Sequence, residues 1–173
     1  MSNSIQIINE STQNEFIISR ILNAPLEIVW KAWTETEQLK KWWGPIGFKM
    51  IIGKLDFNPK GIFQYGMESP DGKTMWGKFV YREIVEFEKI VFVVSFSDEN
   101  CGITRHPLSE LWPLEILSTI IFTELEGKTK LTMHAIPINA KEEEINMFEN
   151  SFDSMVQGWT GTFQQFEEYL QKI

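Results

Sequence analysis

Apolar positions near the end of the chain recur at helical intervals. Ile145, Phe152, Trp159, Phe166 and Ile173 stand seven apart, and Phe148 and Met155 fall three after the first two. Val156, Phe163 and Leu170 widen the stripe, while Asn146, Glu149, Asp153, Gln157, Gln164 and Glu168 take the opposite side. This is the pattern of a helix with one face turned to a core. At about 1.5 Å of rise per residue, the roughly 30 residues from Ala140 onward would span ~45 Å. A globule of this chain length is only about 40 Å across. The pattern therefore predicts one unbroken helix crossing the domain, with Asn139 as N-cap and Glu142 three residues on.

The remainder of the chain reads mainly as strands. Residues 1–12 are polar and weakly patterned, a loose lead. Glu15 to Leu22 is rich in β-branched residues and reads as a strand. Leu26, Val29, Trp30 and Trp33 mark a short helix opened by Pro25. Thr34 and Glu37 have capping-box spacing and predict a second short helix over 35–41. From Phe48 the period changes to two, giving strands at 49–57, 61–68, 74–85, 90–96, 113–125 and 128–137. Residues 97–112 hold Asp98, Asn100, Gly102 and Pro107 without a sustained period and read as an excursion loop. Strands joined by tight turns are antiparallel. The order predicts an α+β domain over residues 13–173, a curved antiparallel sheet of about seven strands wrapped around the C-terminal helix.

Alternation assigns some of the inward faces. Phe63, Tyr65 and Met67 share one face, with Gln64 opposite. Gly77, Phe79, Tyr81 and Glu83 share a parity against Lys78 and Arg82, and Leu131, Met133 and Ala135 oppose Lys130, Thr132 and His134. The strands at 90–96 and 114–125 are apolar at both parities, which leaves their faces open.

Composition narrows the function. The 173 residues include 13 Phe and 7 Trp, enough large rings to line a sizeable core or a cavity. A net charge of −8 argues against nucleic acid as a partner. One cysteine, Cys101, forms no internal disulfide and suits a reducing compartment, so a cytoplasmic location is expected. There is no secretion-signal pattern at the start and no apolar run long enough to span a bilayer. Two histidines and one cysteine without ligand spacing predict no metal, and no phosphate-binding glycine motif or other cofactor signature is present. His134 falls on the outward parity. His106, after Arg105 and before Pro107, is the one candidate base at a pocket rim. Glu83 is either a cavity carboxylate, raised in pKa by burial, or a strand-end residue paired with Arg82 or Lys89. Tyr65 and Tyr81 either offer hydroxyls to a guest or satisfy each other. Gly158 and Gly161 flank Trp159 in mid-helix at a cost of about 1 kcal/mol each, consistent with a close approach or with space left for a guest.

A family resemblance runs over about residues 13–172. Ala24-Pro25, Val29-Trp30, Ala32-Trp33-Thr34 and Trp42-Trp43-Gly44-Pro45 resemble the opening of the domains related to the activator of heat-shock-protein-90 ATPase. Asp56 with Gly61, Asp71-Gly72, Gly77 before Glu83-Ile84, Gly127 with Thr129, and Gly158-Trp159 before Phe166 and Leu170 follow in the family's order. The chain departs from it at Asn58, often Arg in relatives, and at Lys60-Gly61, where they carry Gly-Gly. The resemblance implies the helix-grip fold of the START-like, or SRPBCC, superfamily. It also implies three functional classes: carriers of hydrophobic or lipid-like ligands, co-chaperone-like interaction modules, and cyclase-like or hydrolytic enzymes.

The expectation is a small apolar or amphipathic guest held between the C-terminal helix and the sheet, with no catalytic residue assigned. The candidates are Trp43, Phe63, Tyr65 and Met67, then Phe79, Tyr81 and Glu83, and finally Met133, Met155, Trp159 and Phe163. Trp42-Trp43-Gly44-Pro45 is either a lid on the cavity or a place where one tryptophan is core and the other covers the open end. The alternatives are a chaperone-binding module acting through an exposed patch, and an enzyme using Glu83 with Tyr81 or His106. Either a monomer or a homodimer fits.

Overall fold

The computed structural model of the chain describes residues 7–12 and 14–173. Strands β1 (Ile8–Asn9), β2 (Phe16–Leu22), β3 (Lys49–Leu55), β4 (Ile62–Glu68) and β5 (Thr74–Val85) are followed by β6 (Lys89–Ser97), β7 (Ile103–Thr104), β8 (Glu115–Leu125) and β9 (Lys128–Ile138). Helices α1 (Leu26–Thr34) and α2 (Thr36–Trp42) follow β2, and α3 (Glu142–Glu149) and α4 (Phe152–Leu170) close the chain. The sheet runs β1-β2-β9-β8-β6-β5-β4-β3, with β7 added on β6, and every pairing is antiparallel.

The two strands beyond the expected seven are two-residue pieces. β1 lies in the expected loose lead, where Ile8 pairs with Ser19; residues 1–6 of that lead are outside the described residues. β7 comes from the expected excursion loop, which folds back so that Ile103 pairs with Ser97. Side chains hold the turn between them. The Asp98 carboxylate accepts from the Asn100 and Gly102 N–H groups at 2.9 and 2.8 Å. From the outer face of the sheet, Gln64 donates to the Glu99 carbonyl at 2.9 Å and Lys78 to the Cys101 carbonyl at 2.6 Å. Gln64 is thus buried although it faces away from the core.

The expected single helix is interrupted. Ser151 donates its hydroxyl to the Met147 carbonyl at 2.6 Å, and its N–H reaches only back to Phe148 at 3.1 Å. A serine that bonds locally to the preceding turn competes with the helical ladder, and here it separates α3 from α4. Phase is lost at both ends of the sevenfold column, so Ile145 and Ile173 are exposed while Phe148 and Phe166 are fully buried.

Neither expected capping box forms. Thr34 ends α1 by donating to the Trp30 carbonyl at 3.0 Å, so its hydroxyl cannot cap α2, whose N-cap position is Glu35. At the later site the register moves two residues on: Glu144 accepts from the Lys141 N–H at 2.8 Å, and Asn139 sits before it at φ +51°.

One end of the grip is packed solid by rings. Trp42 stacks on Phe166 with centroids 4.1 Å apart and donates its indole N–H to the Ala32 carbonyl. Trp33 meets Trp42 edge-on at 4.8 Å. Arg20, on the inner face of β2, crosses to α4 and pairs with Glu167, Nε to Oε1 at 2.8 Å. This ion pair fastens the helix to the sheet at the packed end.

Candidate functional site

The other end of the grip is hollow. Between the N-terminal half of α4 and the sheet lies a cavity of about 330 Å³, open to solvent. Its wall begins with Trp43-Gly44-Pro45, after α2. Tyr65 and Met67 of β4 and Met75 and Gly77 of β5 form the floor. Val94 and Phe96 of β6, with Trp112-Pro113 ahead of β8, make one side, and Met155, Gly158, Trp159 and Thr162 of α4 cover it.

Local geometry explains why the space is empty. At Gly158 a Cβ would meet no heavy atom within 4 Å, so the helix presents a gap where its neighbours present side chains. Gly77 lies opposite Tyr65 in the β4–β5 register, and a Cβ there would come within 2.4 Å of the Tyr65 ring and hydroxyl. Glycine is therefore what allows the Tyr65 ring to lie over β5. Gly44, at φ +117°, has the same role for Met67, whose sulfur would sit 2.5 Å from a Cβ. Its backbone is pinned to α4, because Gln165 donates to the Gly44 carbonyl at 2.7 Å and Thr162 at 3.2 Å.

Five of the eleven sequence candidates meet in this wall: Trp43, Tyr65, Met67, Met155 and Trp159. The Trp43 ring centroid is 5.7 Å from that of Trp159 and 6.0 Å from that of Tyr65. Phe63, Phe79, Tyr81, Met133 and Phe163 are buried core residues outside the wall. Phe79 backs it, edge-on to Trp43 at 5.1 Å and stacked on Phe92 at 4.1 Å. Phe163 is held between Trp159 and the Arg20 guanidinium. Tyr81 packs against Phe57 at 5.1 Å, and no hydrogen bond joins it to Tyr65, so the two hydroxyls do not satisfy each other.

Glu83 is on the outside. A bulge in β5 shifts the register after Tyr81, which pairs with Phe92, whereas Glu83 pairs with Val91. Arg82 is the extra residue, and each bulge reverses the faces beyond it. Glu83 is exposed and forms a 2.9 Å ion pair with Lys89. His106 does not reach this cavity either. Its ring lies against Phe96 at 4.7 Å, Nδ1 accepts from the Leu108 N–H at 2.9 Å, and burial lowers its pKa. It lines a second, polar hollow of about 490 Å³ beside α3, where Arg105 and Glu144 are already paired. His134 is half-buried on the outer face against Glu15, at 2.9 Å.

The electrostatics of the cavity are simple, because none of its wall residues is charged. Burial pushes the Tyr65 hydroxyl far above the usual tyrosine range, and the neighbouring Trp43 indole N–H opposes this weakly. The Trp43 N–H itself is buried and completes no hydrogen bond among the described residues. Sequence reasoning missed the contributions of Met75, Val94, Phe96, Trp112 and Ile116. Val94, Phe96 and Ile116 sit on strands whose apolar residues occupy both parities, and Trp112 ends a segment with no period at all. No helix among the described residues is long and apolar enough to cross a membrane, and they contain no group of three or more potential metal ligands.

A curved antiparallel sheet gripping a C-terminal helix over an apolar hollow is the helix-grip architecture of the START-like, or SRPBCC, proteins. The sequence matches the family described as Activator of Hsp90 ATPase homolog 1-like protein over residues 23–171, and the chain belongs to that family. Solved structures agree on the fold. A solution structure from Arthrobacter aurescens is 24% identical, with a TM-score of 0.77 over 97% of this chain and 92% of that one. A crystal structure from Rhodobacter sphaeroides is 18% identical, with a TM-score of 0.76 over 98% and 100%. A Mycobacterium smegmatis protein is 22% identical, with a TM-score of 0.73 over 94% of each chain. No curated protein matches the sequence.

Proposed function

We propose that this protein binds a small apolar or amphipathic molecule in the cavity between α4 and the sheet. The observation that carries the reading is an uncharged hollow of about 330 Å³, walled by aromatic and methionine side chains and open at one side. Ligand pockets start at about 300 Å³, so the guest is at the small end of the range. Methionines at three corners (Met67, Met75 and Met155) give a wall that adapts to shape. The enzyme reading lacks its acid, since Glu83 lies on the surface beside Lys89 and no carboxylate reaches the cavity. A co-chaperone-like role has the family description in its favour.

The test uses N-phenyl-1-naphthylamine, a neutral dye that brightens in apolar surroundings. Saturable 1:1 binding is expected, weakened at least tenfold in Gly158→Leu, whose side chain would grow into the open space at the helix gap. Absence of saturable binding, or equal binding by a folded Gly158→Leu variant, would refute the proposal.

A further inference from the structure

We infer that Tyr65 is the polar anchor of this cavity, and that the cavity selects uncharged guests carrying one hydrogen-bond acceptor over anions and pure hydrocarbons. The inference rests on the ligand-binding reading above and adds to it a residue and a chemical class.

Tyr65 is 6% exposed and lines the cavity, and its hydroxyl donates to no other described residue. A phenol is both a donor and an acceptor, so a hydroxyl that donates to no side chain keeps its hydrogen for whatever enters the cavity. Of the other polar side chains at the wall, Trp43 keeps its buried N–H without a completed bond, whereas Thr162 is engaged and Ser95 is turned away. Thr162 donates its one hydroxyl hydrogen toward the Gly44 and Gly158 carbonyls, each at 3.2 Å. Ser95 pairs with Lys78 across β5–β6, which puts its hydroxyl on the outer face. The Trp43 ring stands edge-on to that of Tyr65, with centroids 6.0 Å apart, and its N–H can donate to the phenol oxygen but cannot accept the phenol hydrogen. The Tyr65 hydrogen is left over, and the ring is fixed by Gly77 beneath it and by Phe63 and Phe79 at 5.1 and 5.7 Å. A guest carbonyl, ether or ester oxygen placed there would accept that hydrogen.

Charge selection follows from what the wall lacks. An anion entering the cavity would lose its water and meet no lysine or arginine, because the wall contains neither. The nearest buried cation, Arg20, is already held by Glu167 at the packed end of the grip. Burying an unpaired carboxylate is far costlier than burying a ketone that receives one hydrogen bond.

The experiment compares three compounds sharing one ring system, measured by isothermal titration calorimetry at pH 7.5 with the whole chain. These are 2-acetylnaphthalene (one neutral acceptor), 2-ethylnaphthalene (none) and 2-naphthoate (an anion). The ketone is expected to bind at least fivefold more tightly than the ethyl compound and at least tenfold more tightly than the carboxylate. In Tyr65→Phe the ketone-to-ethyl ratio should fall to within twofold of one, with thermal unfolding confirming that the variant is folded. The three wild-type affinities decide the matter even without a folded variant. If no compound binds, the ligand-binding reading fails and takes this inference with it. If the ethyl compound binds as well as the ketone, if the carboxylate binds as well as either, or if the ratio survives in Tyr65→Phe, this inference alone is overturned.

Discussion

Replacing Gly158 with alanine is expected to stabilise the protein, against the usual direction for a substitution in a structured segment. Gly158 lies inside α4, well away from either end, where glycine is about 1 kcal/mol less favourable than alanine. An added methyl normally has to fit among neighbours, but here a Cβ would find no heavy atom within 4 Å, since it projects over the open part of the cavity. No clash offsets the gain in helix propensity, so the net change should be about 0.5–1 kcal/mol. For a chain of this size that raises Tm by roughly 1–4 °C, readable by calorimetry or by circular dichroism at 222 nm. Gly161 supplies the comparison. There a Cβ would stand 3.1 Å from Cδ1 of Ile46, so the neighbour must move; Ile46 is 60% exposed and free to do so. Gly161→Ala should gain less than Gly158→Ala. A fall in Tm for Gly158→Ala would show that something occupies the space beside residue 158, and the account of why the cavity is hollow would be wrong.

Other substitutions probe the wall and its supports. Gly77→Ala should cost about 1–3 kcal/mol by overpacking Tyr65, and it should weaken dye binding as the ring is driven into the cavity; urea unfolding and titration measure the two effects. Glu167→Gln leaves the Arg20 guanidinium buried without its counter-charge and should cost about 3 kcal/mol, whereas Arg20→Met should cost less. The Lys141 N–H, and then the Arg105 guanidinium, hold the Glu144 carboxyl below the usual carboxylate range. A carboxyl with a lowered folded-state pKa contributes stability that is present above its unfolded value and is lost as pH falls through the folded one. Denaturation midpoints of Glu144→Gln should therefore differ from wild type at pH 7 and converge with it at acid pH.

Much of the architecture was legible in the sequence because period, turns and rings agreed. The alternation of Phe63, Tyr65 and Met67 identified the inner face of β4, and Gly158 beside Trp159 marked the helix position that is now the gap in the wall. The failures share one physical origin, a single residue or side chain that breaks a period without altering composition. The bulge at Arg82 turned Glu83 outward although its parity matched Phe79 and Tyr81. The Ser151 hydroxyl interrupted the helix within an unbroken hydrophobic repeat. The boundary between filled and hollow was not readable either. Phe163 and Met155 belong to the same stripe, yet one is sealed against Arg20 while the other faces open space, and only the crossing of α4 over the sheet decides which.

The central claim, that the space under α4 receives a guest, is tested most directly by chemical-shift mapping of the isotope-labelled protein during titration with 2-acetylnaphthalene. The account predicts saturable shifts concentrated at Trp43, Tyr65, Gly77, Met155 and Gly158, with little change at Trp33 and Phe166 in the packed end. Shifts scattered over the outer surface, or none at saturating ligand, would contradict it.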